Sequence, residues 1–415
     1  MEQTLSGEID EIIVDPKTYG DEHSYHDAFR WLREHDPVHW TAPKLYRPFW
    51  AVTRHADIMA VEFNAKNFLN DPRQFLVTEA DEDMLFEQTG SRKFVDNLVA
   101  MDDPKHRAYR ALTSAWFGAK SLKSLEDEIA ALARETVDKM VDMGGECDFA
   151  AEIAAWYPLR TIMIVLGVPR EDEPLMLHLS QKLFSSVGGA DGMTGMVEAL
   201  NAFEDYFRKV TADRRENPRN DVATILATAT IDGEPIGEAE RTAYYMIVAA
   251  AGHDTTSSAI SGGLLALMQN PEEMAKLRAD PALIGRAVDE VIRWTTPVKH
   301  FFRTAVEDCV VGDKQVRAGD SLMMCYPSGN RDASAFVDPF AFRVDRPDAR
   351  KHLAFGYGPH TCLGNALAKL EIRLLFTEML RRIDDFRLAG EPRWVEASFV
   401  SGLKSLPIRY RAVAA

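Results

Sequence analysis

Near its C-terminal end the chain reads Phe355-Gly-Tyr-Gly-Pro-His-Thr-Cys-Leu-Gly364, and this decapeptide is the most informative part of the sequence. Its glycines and its proline favour an irregular loop that folds tightly, because glycine reaches backbone angles closed to other residues. The helix-forming run 365–382 follows at once. Cys362 is therefore expected beside a helix N-terminus, where free N–H groups and the positive end of the helix dipole favour a thiolate.

A lone thiolate held in this way suits the axial position of a haem iron, to which it donates electron density. The alternative is a buried cysteine beside a glycine-rich turn, and for a bare G-x-x-C pattern that alternative would usually win. Here the phenylalanine, the glycines, the histidine and the cysteine all fall at fixed offsets, and this agreement favours the haem-ligand interpretation.

The pattern F-x-x-G-x-H-x-C-x-G resembles the haem-binding signature of the cytochrome P450 superfamily. The resemblance implies a mainly α-helical fold with a small β-rich part, shaped as a triangular prism around a long central helix. It implies haem b as the cofactor, with Cys362 as the axial ligand of the iron. Phe355 and Gly364 would flank the haem, and His360 would contact a propionate.

Composition excludes several other classes of protein. The 415 residues are 46% hydrophobic and 27% charged, as in ordinary globular enzymes. The net charge of −16 argues against nucleic acid as a partner. The acidic N-terminal residues 1–16 contain no apolar run, so neither a signal peptide nor a membrane anchor is expected. Four scattered cysteines predict no disulfide framework, and we expect a cytoplasmic protein.

We expect one domain over residues 1–415, with the β-rich part at about 38–55, 296–325 and 385–412. Hydrophobic periodicity predicts helices over 21–34, 54–62, 124–143, 149–166, 173–184 and 194–217. Residues 70–100 are expected to be irregular, and 185–192, with three glycines, to be a hinge. Residues 397–409 predict a hairpin.

A second informative stretch lies within 238–268, which predicts one buried helix of about thirty residues, roughly 45 Å long. Its middle reads Ala251-Gly-His-Asp-Thr-Thr256, a poor choice for a helix interior. Small residues, Ala251 and Gly252, let an object approach the backbone, and a threonine hydroxyl can take over a carbonyl's hydrogen bond. By resemblance, Asp254 relays protons and Thr255 forms a hydrogen bond at the oxygen site; a simple helix kink is the alternative.

Further matches to the family extend over most of the chain. His106 and Arg110 lie four apart on a predicted helix, and the resemblance places both, with Arg303, against haem propionates. Glu290 and Arg293 form an E-x-x-R pair that would be an ordinary surface salt bridge, but the resemblance adds Arg346 and makes it a buried network.

The predicted substrate pocket is apolar. Its expected residues are Ile247, Ala250, Ala251, Val298, Phe301, Phe302, Phe399 and Val400. Beside the cysteine loop, a basic patch is expected from Lys105, Arg107, Arg350, Lys351, Lys369 and Arg373, which would attract an acidic ferredoxin.

The sequence therefore predicts a monomeric haem-thiolate monooxygenase. It would use O₂ and two electrons from a [2Fe–2S] ferredoxin with an NAD(P)H-dependent reductase. Further stretches, including 157–159, 166–169 and 250–258, are most similar to the bacterial α-terpineol-oxidising P450 and its relatives. The expected substrate is a monoterpenoid or an alkyl-aromatic or aromatic hydrocarbon. The alternatives are a fatty-acid or steroid hydroxylase, a peroxygenase (disfavoured by Asp254 and Thr255) and a non-catalytic haem sensor or carrier.

Overall fold

The structure, a computed structural model, describes residues 8–20, 22–93, 95–186 and 192–413. Helices dominate these residues, which confirms the predicted fold class. The α-helices are α1 Glu22–His35, α2 His55–Phe63, α3 Glu79–Thr89, α4 Lys105–Ser114, α5 Ala119–Asp142, α6 Trp156–Leu166, α7 Glu173–Ser186, α8 Gly192–Glu216, α9 Val222–Thr228, α10 Glu238–Ala251, α11 Asp254–Gln269, α12 Pro271–Ala279, α13 Ile284–Thr295, α14 Tyr326–Gly329 and α15 Asn365–Arg382.

The strands are short and form small sheets. They are β1 Val38–Thr41, β2 Phe49–Val52, β3 Phe68–Leu69, β4 Glu146–Asp148, β5 Thr230–Ile231, β6 Glu234–Pro235, β7 His300–Ala305, β8 Cys309–Val311, β9 Lys314–Val316, β10 Ser321–Cys325, β11 Ile383–Leu388, β12 Arg393–Trp394, β13 Leu403–Ser405 and β14 Pro407–Ala412.

The largest sheet has five strands in the order β1-β2-β10-β7-β3. Strands β2 and β10 are parallel, and the other neighbours are antiparallel. Alternation along β7 puts Phe301 and Arg303 on one face and Phe302 on the other. The first two line the main cavity, whereas Phe302 packs into the core on the opposite side with Phe49. The register of this strand therefore decides which side chains reach the site.

The helical core is built around α11, α13 and α15. Helix α11 packs on α13, and α15 packs on both α13 and α5. The sequence predicts the bounds of α15 correctly. One apolar stretch of the described residues, Phe149–Leu166, has the length and composition of a membrane span, and 67% of it is buried within the fold. That burial is typical of a core helix.

The central helix is interrupted, which corrects the prediction of one continuous helix over 238–268. Helix α10 ends at Ala251 and α11 begins at Asp254. The Thr255 hydroxyl donates a hydrogen bond of 2.9 Å to the carbonyl of Ala251. A Cβ on Gly252 would lie 2.7 Å from Ile162 of α6, so the break also brings the backbone close to its neighbour. Side-chain substitution for a helix hydrogen bond is a known cause of such kinks.

Residues 70–100 contain a helix that the sequence analysis missed. Helix α3 is capped by Thr78, whose Oγ1 accepts a hydrogen bond of 3.2 Å from the Asp81 N–H. It carries three acidic residues in its first turn and ends at Gly90, which has a φ of +71°. The helix dipole stabilises acidic residues at a helix N-terminus. The acidic segment at 79–83, which was expected to be irregular, therefore favours a helix.

The expected hinge and the expected C-terminal hairpin have different outcomes. Most of the expected hinge at 185–192 lies outside the described residues, since only the end of α7 and the start of α8 fall within them. The C-terminal hairpin begins earlier than predicted, because β12 pairs with β13. Strand β14 instead joins β11 and β4 in a three-stranded sheet.

A buried charge network joins α13 to the segment that follows α14. The Glu290 carboxylate accepts hydrogen bonds of 2.7 and 2.8 Å from Arg293 and one of 3.0 Å from Arg346. All three side chains are at most 1% exposed. The arginines also donate to the carbonyls of residues 330, 337–339 and 341. The structure thus brings together the three residues that the resemblance implies.

We predict that Glu290→Gln lowers the free energy of unfolding by about 3–5 kcal/mol, because it removes the carboxylate that two buried guanidinium groups share. Urea unfolding followed by circular dichroism measures this loss. As a control, Arg381→Met breaks an exposed ion pair with Glu378 and should cost less than about 1 kcal/mol. Equal losses in the two variants would contradict the prediction.

Candidate active site

A large cavity lies between the central helix and the cysteine loop. It encloses about 1460 Å³, its opening to solvent included. Its walls come from α10 and α11 on one side and from residues 354–372 on the other. The central helix and the cysteine loop therefore face each other across one cavity.

Cys362 borders this cavity on the side of the loop. Its backbone N–H donates a hydrogen bond of 2.8 Å to the carbonyl of Phe355. Burial raises the pKa of the Cys362 thiol, while the Gly364 N–H and Arg110 oppose the rise. In the protein alone, burial therefore outweighs the groups that favour the thiolate. Helix α15 starts at Asn365, three residues after the cysteine. A coordinated metal ion would deprotonate the thiol outright.

Donor groups collect at one end of the cavity. The rings of His106 and His360 stack with their centroids 3.8 Å apart, and Arg110 donates a hydrogen bond of 2.7 Å to the Thr361 carbonyl. His106 Nε2 is buried without a hydrogen-bond partner. Burial, followed by the charge of Arg110, lowers the pKa of His106. Burial and the neighbouring charges of His106, Arg303 and Arg110 lower the pKa of His360 to about 2.

These groups fit an anion at that end. A buried imidazole nitrogen without a hydrogen-bond partner, close to the guanidinium groups of Arg110 and Arg303, can donate to an anionic group. A Cβ on Gly364, on the cavity wall, would meet no atom within 4 Å, which leaves room for a flat ring above the sulfur. The residues therefore fit haem: Cys362 would hold the iron, and His106, Arg110, Arg303 and His360 would hold the propionates.

The opposite wall carries the interrupted central helix. Ala251, Gly252 and Thr255 line the cavity there. Asp254 does not line it; instead its Oδ1 lies 3.0 Å from His253 Nδ1. The Nε2 of His253 donates a hydrogen bond of 2.9 Å to the carbonyl of Ala155. The predicted acid and alcohol are therefore adjacent in sequence but face different surroundings.

The predicted pocket residues divide into two groups. Ile247, Val298 and Phe301 line the cavity, as Ala251 does. The remaining four do not: Ala250 and Phe302 are buried in the core, Phe399 packs behind Phe301 with ring centroids 5.3 Å apart, and Val400 pairs with the backbone of Val298. Phe302 faces away because it alternates with Phe301 and Arg303 along β7.

Three polar residues of the cavity escaped the sequence analysis. Glu62 accepts a hydrogen bond of 2.9 Å from Arg303, and the Asn70 amide donates one of 2.8 Å to His360 Nε2. Glu371 is a buried carboxyl group whose pKa burial raises well above its usual value. Two of these residues could have been found from the sequence, because each is an acid on the apolar face of a helix. Glu62 ends the mostly apolar helical segment 58–62, and Glu371 interrupts the apolar stripe of α15.

The expected basic patch is largely neutralised. Lys369 and Arg350 both pair with Asp289 at 2.6 and 3.2 Å. The other ion pairs are Arg373 with Glu126, Arg107 with Asp103, and Lys105 with Asp96 and Glu240. A prediction from cations alone overlooks these acids, of which Asp289, Glu126 and Glu240 come from distant parts of the chain.

Comparisons with known proteins agree with this geometry. A family model for cytochrome P450 matches residues 191–392. A relative from Pseudomonas sp., cytochrome P450-terp, is 39% identical over 98% of this chain and 98% of its own. The crystal structure of CYP108D1 from Novosphingobium aromaticivorans has a TM-score of 0.92 at 43% identity, covering 98% of this chain and 99% of that one. CYP268A2 from Mycobacterium marinum, in complex with pseudoionone, has a TM-score of 0.88 at 33% identity, covering 95% and 97%.

We predict that Cys362→Ser abolishes the red-shifted absorption of the carbon monoxide complex of the reduced protein, because a hydroxyl donates less electron density than a thiolate. Absorption spectra of the reduced protein with and without carbon monoxide measure this. Cys309→Ser, outside the cavity, serves as the control and should keep the band. A red-shifted band that survives in Cys362→Ser would exclude this sulfur as the ligand.

Proposed function

The chain belongs to the cytochrome P450 family, and from this premise we propose that it hydroxylates a monoterpenoid or an alkyl-aromatic or aromatic hydrocarbon. The oxidant is O₂, and a [2Fe–2S] ferredoxin with its NAD(P)H-dependent reductase supplies two electrons. As a P450 monooxygenase it uses haem b held through a cysteine thiolate. The substrate class, the redox partner and the residue roles below are the proposal.

The observation that carries the substrate class is the distribution of charge in the cavity. Among the described lining residues, the cationic side chains and histidines stand together at the end with His106, Arg110, Arg303 and His360. Much of the remaining wall is apolar, with Leu98, Val99, Ile247, Val298 and Phe301 as examples, and its polar residues, such as Thr255 and Glu371, are not cationic. A fatty acid would leave its carboxylate without a cationic partner there, which costs free energy. An uncharged hydrocarbon would bind there without this cost.

The relatives support the same class. One relative is cytochrome P450-terp, and a solved neighbour binds pseudoionone, an unsaturated ketone without charge. Both align over nearly the whole chain, so the regions that shape the cavity are included. The small, apolar and neutral character of that ligand matches the wall described above.

Haem, when bound, supplies the oxygen chemistry, and the residues of the chain position what reacts. We propose that Thr255 holds a proton at the oxygen site, since it lines the cavity and its hydroxyl donates to the Ala251 carbonyl where the central helix is interrupted. Asp254, beside His253 and partly exposed, would bring protons from outside the cavity. Ala251 and Gly252 are small residues and leave space for a small molecule beside the central helix.

The cellular setting follows from the same proposal. All four cysteines are free thiols within the described residues, as expected in the reducing cytoplasm, where a ferredoxin and its reductase also work. Exposed cations such as Arg350 remain available to a partner although they are paired with acids, because exposed ion pairs exchange partners at little cost.

A spectral titration tests the substrate class. The purified ferric protein is titrated with monoterpenoids, alkylbenzenes, polycyclic aromatics, steroids and fatty acids, and a low-to-high-spin shift of the absorption spectrum reports binding. We expect shifts with the first groups and none with long-chain acids. Shifts confined to fatty acids or steroids would support the alternative hydroxylases. A haem sensor or carrier would bind ligands but consume no NADH with reductase and ferredoxin supplied.

We predict that Thr255→Ala lowers the ratio of product formed to NADH consumed at least severalfold and releases the difference as peroxide, because protons are no longer held at the oxygen site. Parallel assays of NADH, product and hydrogen peroxide measure this. Thr256→Ala changes the neighbouring hydroxyl and is the matched control. Unchanged coupling in Thr255→Ala would remove this residue from proton delivery.

A further inference from the structure

Glu62 is a buried carboxyl group at the donor end of the cavity. It lies in the last turn of α2, borders the cavity and has a side chain only 1% exposed. Glu62 lies in neither the decapeptide nor the central helix, and no motif of the sequence predicts a role for it. A charged group is seldom buried this completely unless its partners compensate it.

Three donors converge on this carboxyl group. Oε1 accepts hydrogen bonds from Arg303 Nη2 at 2.9 Å and from the Tyr326 hydroxyl at 2.6 Å. Oε2 accepts one of 2.8 Å from the backbone N–H of Tyr357. The guanidinium and the amide can only donate, so the oxygens facing them act as acceptors, as those of a carboxylate do. Burial raises the pKa of Glu62, and Arg303 is the first of three groups that oppose the rise.

The partners of Glu62 belong to the haem site. Arg303 is the arginine that would bind a propionate, and its other bond, of 2.7 Å, goes to the Phe302 carbonyl. Tyr357 lies in the decapeptide, so the carboxylate is tied to the loop that carries Cys362. With haem bound, Arg303 would be shared between Glu62 and a propionate.

A count of charges shows the consequence. Haem brings two propionates, and Glu62 makes a third carboxylate at the same end. The guanidinium groups at that end are those of Arg303 and Arg110, and Arg303 already forms an ion pair of 2.9 Å with Glu62. A further negative charge near the porphyrin stabilises the more positive, oxidised form of the iron, because interactions in a buried site are weakly screened.

We propose that Glu62 is a third carboxylate of the haem cradle and lowers the reduction potential of the haem iron by sharing Arg303 with a propionate. The inference requires bound haem but no particular substrate, so it stands apart from the substrate class proposed above. Its effect is to favour the ferric state of the substrate-free protein. It also makes Glu62 a positioning residue for the decapeptide through the Tyr357 N–H.

The experiment compares redox titrations of variants of the full-length, haem-loaded, substrate-free protein, followed by absorption. Glu62→Gln and Glu62→Met remove the charge and keep the approximate volume. Glu62→Asp keeps the charge but shortens the side chain, and therefore disturbs packing without neutralisation. Glu307→Gln removes an exposed charge just beyond β7, whose carboxylate accepts a hydrogen bond from Asn67, and controls for loss of charge in general.

We expect both neutral variants to shift the ferric–ferrous equilibrium toward the ferrous form by about tenfold, which is a rise of about 59 mV for a one-electron couple. Glu62→Asp and Glu307→Gln should remain within a factor of about two of the unmodified protein. Haem content, measured in parallel, should be similar in all variants.

Three outcomes would overturn the proposal. The first is an unchanged potential in both neutral variants. The second is an equal rise in Glu62→Asp, which would assign the effect to packing rather than to charge. The third is loss of haem from both neutral variants with retention in Glu62→Asp, which would make Glu62 a binding residue instead. If one neutral variant does not fold, the other decides the question alone.

Discussion

A single hydrogen bond, from the Cys362 N–H to the Phe355 carbonyl, closes the loop on which the site depends. It fixes the position of the Cys362 sulfur at the cavity wall. Helix α15, which begins three residues later, anchors the loop to the core. The loop also needs Gly358, whose φ is +70° and whose Cβ, if present, would lie 2.5 Å from the Glu62 carbonyl oxygen. Backbone geometry, rather than side-chain chemistry alone, therefore presents the sulfur.

The opposite wall of the cavity depends on the interruption of the central helix. A helix loses stability where its hydrogen bonds are interrupted, yet the break after Ala251 leaves few groups unsatisfied. The Thr255 hydroxyl bonds to the Ala251 carbonyl, and His253 bonds to Ala155 of a neighbouring segment. The interruption is consequently compensated by specific hydrogen bonds on both sides. A local departure from helix propensity that is compensated by specific partners is typical of functional sites.

The sequence was most informative for the decapeptide and the helix that follows it, although the locally capped helix α3 was missed. The offsets within the decapeptide and the bounds of α15 depend on neighbours a few residues away, and both were predictable. Whether Phe302 or Phe301 reaches the cavity depends on the register of β7 against β10, which no local pattern states. The pairing of Lys369 with Asp289 and of Arg303 with Glu62 depends on elements distant in the chain. Predictions from charge patterns failed there because they counted cations without their partners.

Charge compensation distinguishes the scaffold from the cofactor site. Glu290 is matched within the protein by two arginines, so that network is complete before any ligand arrives. At the donor end of the cavity the balance differs, because His106 Nε2 has no partner and Arg110 forms no ion pair within the described part of the chain. Propionates would supply the missing negative charge, and any ligand that binds only the folded state stabilises it. Cofactor binding and folding are therefore linked through the same few side chains. Because Glu62 already forms an ion pair with Arg303, it reduces the positive charge that Arg303 offers to a propionate.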